Sequence, residues 1–141
     1  MLTVDANIWV ATMDPREPGH ADCRSFFLRA RALERTLTCP WLVVIEASAA
    51  VARKSRDPQK GYAMTKLIQR TPMLKFLDLS RVLLESSLEL ACRLFLRGPD
   101  AIYAAVAKHS GSTLITLDAE LRQRAAVEIY CLTPLEWLAQ Q

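Results

Sequence analysis

Along the chain, short runs of aliphatic and β-branched residues alternate with longer stretches whose apolar positions recur every three or four residues. Leu2–Asp5 reads as a short strand, and Ala6–Thr12 as a helical turn or two directly behind it. Pro15, Pro18 and Gly19 punctuate a loop. From His20 to Arg35 the positions Cys23, Phe26, Phe27, Ala30 and Leu33 mark one face of an amphipathic helix. Thr36–Cys39 predicts a second strand, and Pro40 opens a helix over Trp41–Arg56. That helix is apolar nearly all round and is expected to be buried on most faces. Asp57-Pro58 breaks it, and the next helix is expected over Gln59–Arg70. Leu74–Leu79 predicts a third strand, and Ser80 suits the N-cap of a long helix reaching Arg97. Gly98-Pro99-Asp100 resets the chain before an alanine-rich helix over Ala101–Ser110, with Gly111 at its C′ position. Thr113–Leu117 is a β-branched strand, Asp118–Ala125 a short helix, Val127–Leu132 a last strand and Pro134–Ala139 a terminal helix. Strands separated by helices of this length pack as a parallel sheet between helical layers. The expected class is therefore α/β, a three-layer α/β/α fold with a central, mainly parallel sheet of four to five strands.

Composition narrows the class. The chain has 141 residues and contains no internal repeat, linker-like run or low-complexity tract, so residues 1–141 are expected to form a single domain with its own core. A hydrophobic fraction of 51%, with only seven Pro and four Gly, excludes a disordered or fibrous chain. The longest apolar stretch, Pro40–Ala52, is interrupted by Glu46 and falls short of the roughly 18 residues a membrane span needs. Met1–Val4 has no basic flank and Asp5 follows at once, so no signal peptide and no membrane partner are expected. Cys23, Cys39, Cys92 and Cys131 are scattered, without a C-x-x-C, which argues against zinc. Each sits in apolar surroundings and is expected to be a small buried thiol, in a reducing cytoplasmic compartment. The net charge of +3 is compatible with a polyanionic partner without requiring one. A mean hydropathy of +0.10 is slightly high for so small a chain and points to apolar surface covered by a partner.

Four carboxylates carry the candidate chemistry. In parallel sheets the functional crevice lies beyond the carboxyl ends of the strands. Asp5 and Asp118 each follow a strand, and Asp100 opens the helix that feeds the second of those strands. Helix capping accounts for Asp100 and Asp118 taken singly. Glu46 is sharper, being the one charged side chain between Trp41 and Ala52. A carboxylate in such a helix needs a pairing arginine, a metal or a proton. If the four converge, they cannot all stay ionised without a cation. Oxygen-only ligation suits Mg²⁺ or Mn²⁺ rather than zinc, and such ions prefer phosphate oxygens as further ligands. The substrate class suggested is a phosphoester, hydrolysed in line.

Four segments together resemble a PIN domain: Leu2-Thr-Val-Asp5-Ala-Asn7, the helix carrying Glu46, Gly98-Pro-Asp100-Ala-Ile-Tyr-Ala-Ala-Val-Ala, and Thr113-Leu-Ile-Thr116-Leu-Asp118. The match spans nearly the whole chain in the right order. More narrowly, the chain is similar to the VapC-type toxins of toxin–antitoxin pairs. The resemblance implies a PIN-like fold and a ribonuclease dependent on Mg²⁺ or Mn²⁺. It places the acidic quartet on Asp5, Glu46, Asp100 and Asp118, as metal ligands and catalytic residues, with Asn7 and Thr116 as polar support. It also implies an RNA substrate, a homodimer, and an antitoxin that wraps an apolar groove. The family pattern often has a polar residue where this chain has Leu117, a departure that removes no ligand.

Other features have plainer readings. His20 and His109 lack a partner nucleophile motif and read as structural or surface groups. No G-x-S-x-G, G-x-G-x-x-G or Walker sequence occurs, so neither a serine nucleophile nor a nucleotide cofactor is indicated. Arg53, Lys54, Arg56 and Lys60 form either a solvated helix end or a strip for RNA phosphates. Trp9, Trp41 and Trp137 read as core or interface anchors. A haloacid-dehalogenase-like phosphatase would need a second carboxylate where Asn7 stands, and a receiver domain fits Asp57-Pro58 poorly. A PIN nuclease of RNA processing and a PIN-like module without activity remain the competing classes.

Overall fold

A computed structural model describes residues 1–141. The elements in chain order are β1 (Leu2–Val4), α1 (Ala6–Ala11), α2 (His20–Ala32), β2 (Leu37–Pro40), α3 (Leu42–Ser55), α4 (Pro58–Gln69), β3 (Leu74–Leu77), α5 (Arg81–Leu94), α6 (Gly98–Ser110), β4 (Thr113–Ile115), α7 (Ala119–Ala125), β5 (Cys131–Leu132) and α8 (Pro134–Leu138). The five strands form one sheet in the order β3-β2-β1-β4-β5, and every neighbouring pair is parallel. Leu2, Thr3 and Val4 register with Thr113, Leu114 and Ile115, so β1 and β4 end level with each other.

The strand order fixes where the helices go. From β1 the chain steps to β2 and β3 on one side, then returns across β2 and β1 to β4 and β5. Right-handed crossovers place α1–α4 on one face of the sheet and α5–α7 on the other, which is the expected α/β/α layering. The direction of travel reverses between β1 and β4, and a crevice opens there beyond their carboxyl ends.

Packing follows from composition. Thirty-one buried apolar residues form one continuous core. Helix α6 lies against β1, β2 and β4, and its Ala101, Ala104, Ala105 and Ala107 are buried, small side chains that let the helix settle close on the sheet. Gly61 does the same between α3 and α4, since a Cβ there would stand 3.0 Å from both Ala52 Cβ and the Ser48 carbonyl oxygen. Buried hydroxyls in the sheet satisfy one another: Thr3 Oγ1 lies 2.9 Å from Thr38 Oγ1 and 2.6 Å from Ser112 Oγ.

Several expectations need correction. Helix α3 buries one stripe, Val43, Ala47 and Val51, while Ile45 is 68% exposed, so it is not enclosed on most faces. Cys23 and Cys39 are buried, but Cys92 is exposed on α5 and Cys131 is only partly covered; all four thiols are free. The last strand shrinks to Cys131–Leu132, because residues 126–129 turn out of the preceding helix and Val127 points to solvent. Helix α5 stops at Leu94, where Phe95 adopts a left-handed conformation, and α6 begins at Gly98. Asp100 thus lies inside the first turn of α6, not ahead of it. Trp9 and Trp137 are core residues, whereas Trp41 stacks on Phe76 at the surface with ring centroids 4.2 Å apart. No helix is long and apolar enough to cross a membrane.

Candidate active site at the switch of the sheet

Four elements deliver acidic side chains to this crevice. Asp5 is the N-cap residue of α1 and follows β1 directly, but its side chain makes no capping bond. Its Oδ2 instead accepts hydrogen bonds from the Thr116 hydroxyl at 2.6 Å and from Asn7 Nδ2 at 2.7 Å. Thr116 follows β4, so the level ends of β1 and β4 bring the two groups together across 111 residues of chain. The Thr116 hydroxyl also accepts from Asn7 Nδ2 (3.1 Å) and from the Asp118 amide (3.0 Å), and Asn7 Oδ1 accepts from the Leu117 amide (3.1 Å). Asn7 and Thr116 therefore lock the loop after β4 onto the start of α1. Leu117 joins this network only through its backbone, so its apolar side chain does not disturb it.

Asp118 is an N-cap as well as a member of the cluster. Its Oδ1 accepts from the Leu121 amide at 2.9 Å, while its Oδ2 accepts from Arg97 Nη2 at 2.5 Å. Arg97 also donates from Nε to Asp100 Oδ2 at 2.7 Å. Capping therefore does not explain Asp100, whose carboxylate is held by the residue three positions earlier. Glu46 reaches the crevice from α3, and its Oε2 accepts from the Tyr103 hydroxyl of α6 at 2.6 Å. It forms no ion pair with an arginine.

The electrostatics are those of crowded acids. Burial, reinforced by the charges of Asp100 and Glu46, pushes the Asp5 carboxyl up to about 6, against the Thr116 hydrogen bond that favours its ionised form. Glu46 is also raised, by burial and then by Asp100, with the Tyr103 hydrogen bond opposing. Asp100 is raised by burial, and its Arg97 contact only partly offsets this. Tyr103 is held far above the ordinary range for a phenol, first by burial, so its hydroxyl is a fixed donor. Arg97 is the one basic side chain that pairs with any of the four carboxylates, and it pairs with two, Asp100 and Asp118.

The crevice is a cleft of about 930 Å³ whose walls include these acids and, on the α3 side, Arg53 and Lys54. Lys54 pairs with Glu17, while Arg56 and Lys60 are not part of the lining. His20 lies outside the site and bonds the Ala11 carbonyl through Nδ1 at 2.7 Å, and His109 is exposed in the last turn of α6. Tyr103 and Arg97 were not singled out from sequence. Both lie three residues from Asp100 on the same helical register, and Tyr103 is the sole polar side chain between Ala101 and Ala107; those were the available signals.

The donor set is all oxygen, with carboxylates that resist ionising together, and this chemistry fits a hard divalent cation. Asp5, Glu46, Asp100 and Asp118 are the side chains that could hold one. No three acidic, histidine or cysteine side chains form a ready-made cage. Mg²⁺ does not require one, since it commonly takes one or two carboxylates and keeps several waters.

The sequence pattern that defines the PIN domain matches residues 2–127. The chain belongs to the PIN domain family. Solved structures with the same fold include VapBC2 from Rickettsia felis bound to a promoter DNA fragment, at 16% identity and a TM-score of 0.73, covering 94% of this chain and 97% of that one. Mycobacterium tuberculosis VapC20, a sarcin–ricin-loop-cleaving toxin, aligns at 16% identity and a TM-score of 0.73 over 92% and 96% of the two chains. FitAcB from Neisseria gonorrhoeae aligns at 17% identity and a TM-score of 0.71 over 96% and 99%. Comparison with curated protein sequences returned no match.

Proposed function

We propose that this PIN domain is a divalent-metal-dependent ribonuclease and the toxin of a VapBC-type toxin–antitoxin pair. The observation that carries the reading is the meeting of Asp5, Glu46, Asp100 and Asp118, from both helical layers and both central strands, in one cleft of a PIN fold. The solved structures of similar fold include toxins and toxin–antitoxin complexes, which supports the narrower assignment.

Within this reading each residue has a task. Asp5, Asp100, Asp118 and Glu46 hold Mg²⁺ or Mn²⁺. The bound cation supplies positive charge to a phosphodiester and lowers the pKa of water. Thr116 and Asn7 fix the Asp5 carboxylate so that its free oxygen faces the cleft, and Tyr103 orients Glu46. Arg53 stands on the cleft wall with no anionic partner of its own and receives the RNA backbone.

The partner surfaces are also part of the proposal. Between α1, α2 and α4 runs an apolar groove of about 370 Å³ lined by Met13, Phe27, Leu28, Leu67 and Met73 and edged by Arg24 and Arg31. It suits an amphipathic antitoxin segment bearing acidic side chains. Exposed apolar side chains outside the cleft, such as Trp41 and Leu79, suit a second copy of the chain.

The test is cleavage of a loop-containing RNA by the purified chain. Activity is expected with Mg²⁺ or Mn²⁺, none after chelation, and recovery when either ion is returned. Undiminished cleavage in chelator would overturn the metal-dependent reading.

A further inference from the structure

Arg97 bonds one oxygen each of Asp100 and Asp118, two of the four acids that could hold a cation. It sits at the N-cap position of α6, makes no capping bond, and spans two acids that come from different elements. Asp118 Oδ1 is committed to the Leu121 amide, so Oδ2 is the oxygen left for another ligand, and Arg97 holds it. Its second bond takes Asp100 Oδ2. The Arg97 side chain is 65% exposed, whereas those of Asp100 and Asp118 are 15% and 24% exposed. An arginine with so little packing around its stem is free to leave, while the acids it bridges are not. The other cations near the cleft do not compete for these oxygens, because Lys54 is paired with Glu17 and Arg53 bonds none of the four acids.

We propose that Arg97 is an intramolecular stand-in for the divalent cation: its guanidinium bridges Asp100 and Asp118 in the metal-free protein and offsets part of their charge, and metal binding must displace it. This inference rests on the metal-dependent reading of the site and adds a regulation to it. A guanidinium donates hydrogen bonds in a planar fork and can bridge two carboxylates, yet it contributes a single positive charge and keeps the acids at hydrogen-bonding distance. A divalent ion must compete with it for these oxygens, which raises the apparent dissociation constant of the metal by a fixed factor. The residue therefore lowers the apparent metal affinity while relieving acid–acid repulsion when no metal is bound.

Arg97→Gln removes the charge and keeps a polar side chain at a largely exposed position, so the variant is expected to fold. Mn²⁺ binding measured by calorimetry at neutral pH should be roughly three- to tenfold tighter than in wild type, the weight of two partly exposed ion pairs. Arg97→Lys, which keeps the charge but loses the fork, should fall between the two. In chelator, Arg97→Gln should unfold at a slightly lower temperature than wild type. If wild type binds Mn²⁺ and Arg97→Gln binds it equally or more weakly, the stand-in role is wrong and the metal site stands. If neither protein binds Mn²⁺, the metal-dependent reading fails, and the stand-in role fails with it.

Discussion

The carboxyl of Asp5 is almost wholly enclosed, yet it faces two further acids and carries no arginine of its own. Its folded-state value of about 6 lies above the unfolded value of 3.8, so the folded chain holds that proton more tightly. Stability contributed by this group is then greatest below about pH 4, falls as pH rises through 6, and is lost above it. In chelator, the melting temperature of wild type should rise by a few degrees relative to Asp5→Asn as pH drops from 7 to 5. Parallel melting curves for the two proteins across that range would show that Asp5 is not strained by its neighbours. Asp5 and Asp118 were readable from sequence because an acid just after a β-branched run marks the carboxyl edge of a sheet. Glu46 was readable for its isolation among apolar residues. Arg97 and Tyr103 left only their three-residue spacing from Asp100 as a signal, because their bonds to Asp118 and Glu46 cross 21 and 57 residues.

Helices α3 and α4 show what sequence periodicity conveys and what it misses. Each was legible as a helix, since Pro58 at the first position of α4 and Asp57 as its N-cap are local signals, and the Asp57 side chain accepts from the Gln59 amide at 2.9 Å. What covers the outer apolar face of α3 depends on other elements, and in this chain nothing from the sheet or α4 reaches Ile45. The close approach of the pair rests on Gly61. Gly61→Ala gains helix propensity of about 1 kcal/mol but places a methyl group 3.0 Å from the Ser48 carbonyl oxygen and Ala52 Cβ, so α3 and α4 must move apart by a few tenths of an ångström. Overpacking of this kind typically costs about 1–3 kcal/mol, so the net expectation is a loss of about 1 kcal/mol. Urea unfolding should show a lower midpoint with an unchanged slope; a higher midpoint would mean the two helices have room to separate.

At the scale of the whole molecule, the α/β class and the parallel sheet followed from the alternation of elements, but the order β3-β2-β1-β4-β5 did not. Strand order is set by long-range pairing that hydrophobic pattern does not encode. That order nevertheless makes the site, because the reversal between β1 and β4 opens the crevice and leaves acids from α3 and α6 to close it from opposite faces. The account stands or falls on whether this assembly is catalytic, and Glu46 is its most telling member. Glu46→Gln keeps the size of the side chain and an acceptor for the Tyr103 hydroxyl, and no arginine is stranded by the change. The decisive measurement is the single-turnover rate of RNA cleavage in Mn²⁺ by Glu46→Gln beside wild type, with the melting temperature of both in chelator. A fall in rate of at least about a hundredfold, the scale of losing a group that acts directly in the reaction, with an unchanged or higher melting temperature, is predicted. A near-normal rate from a destabilised protein would contradict the account and make Glu46 a structural group of the fold.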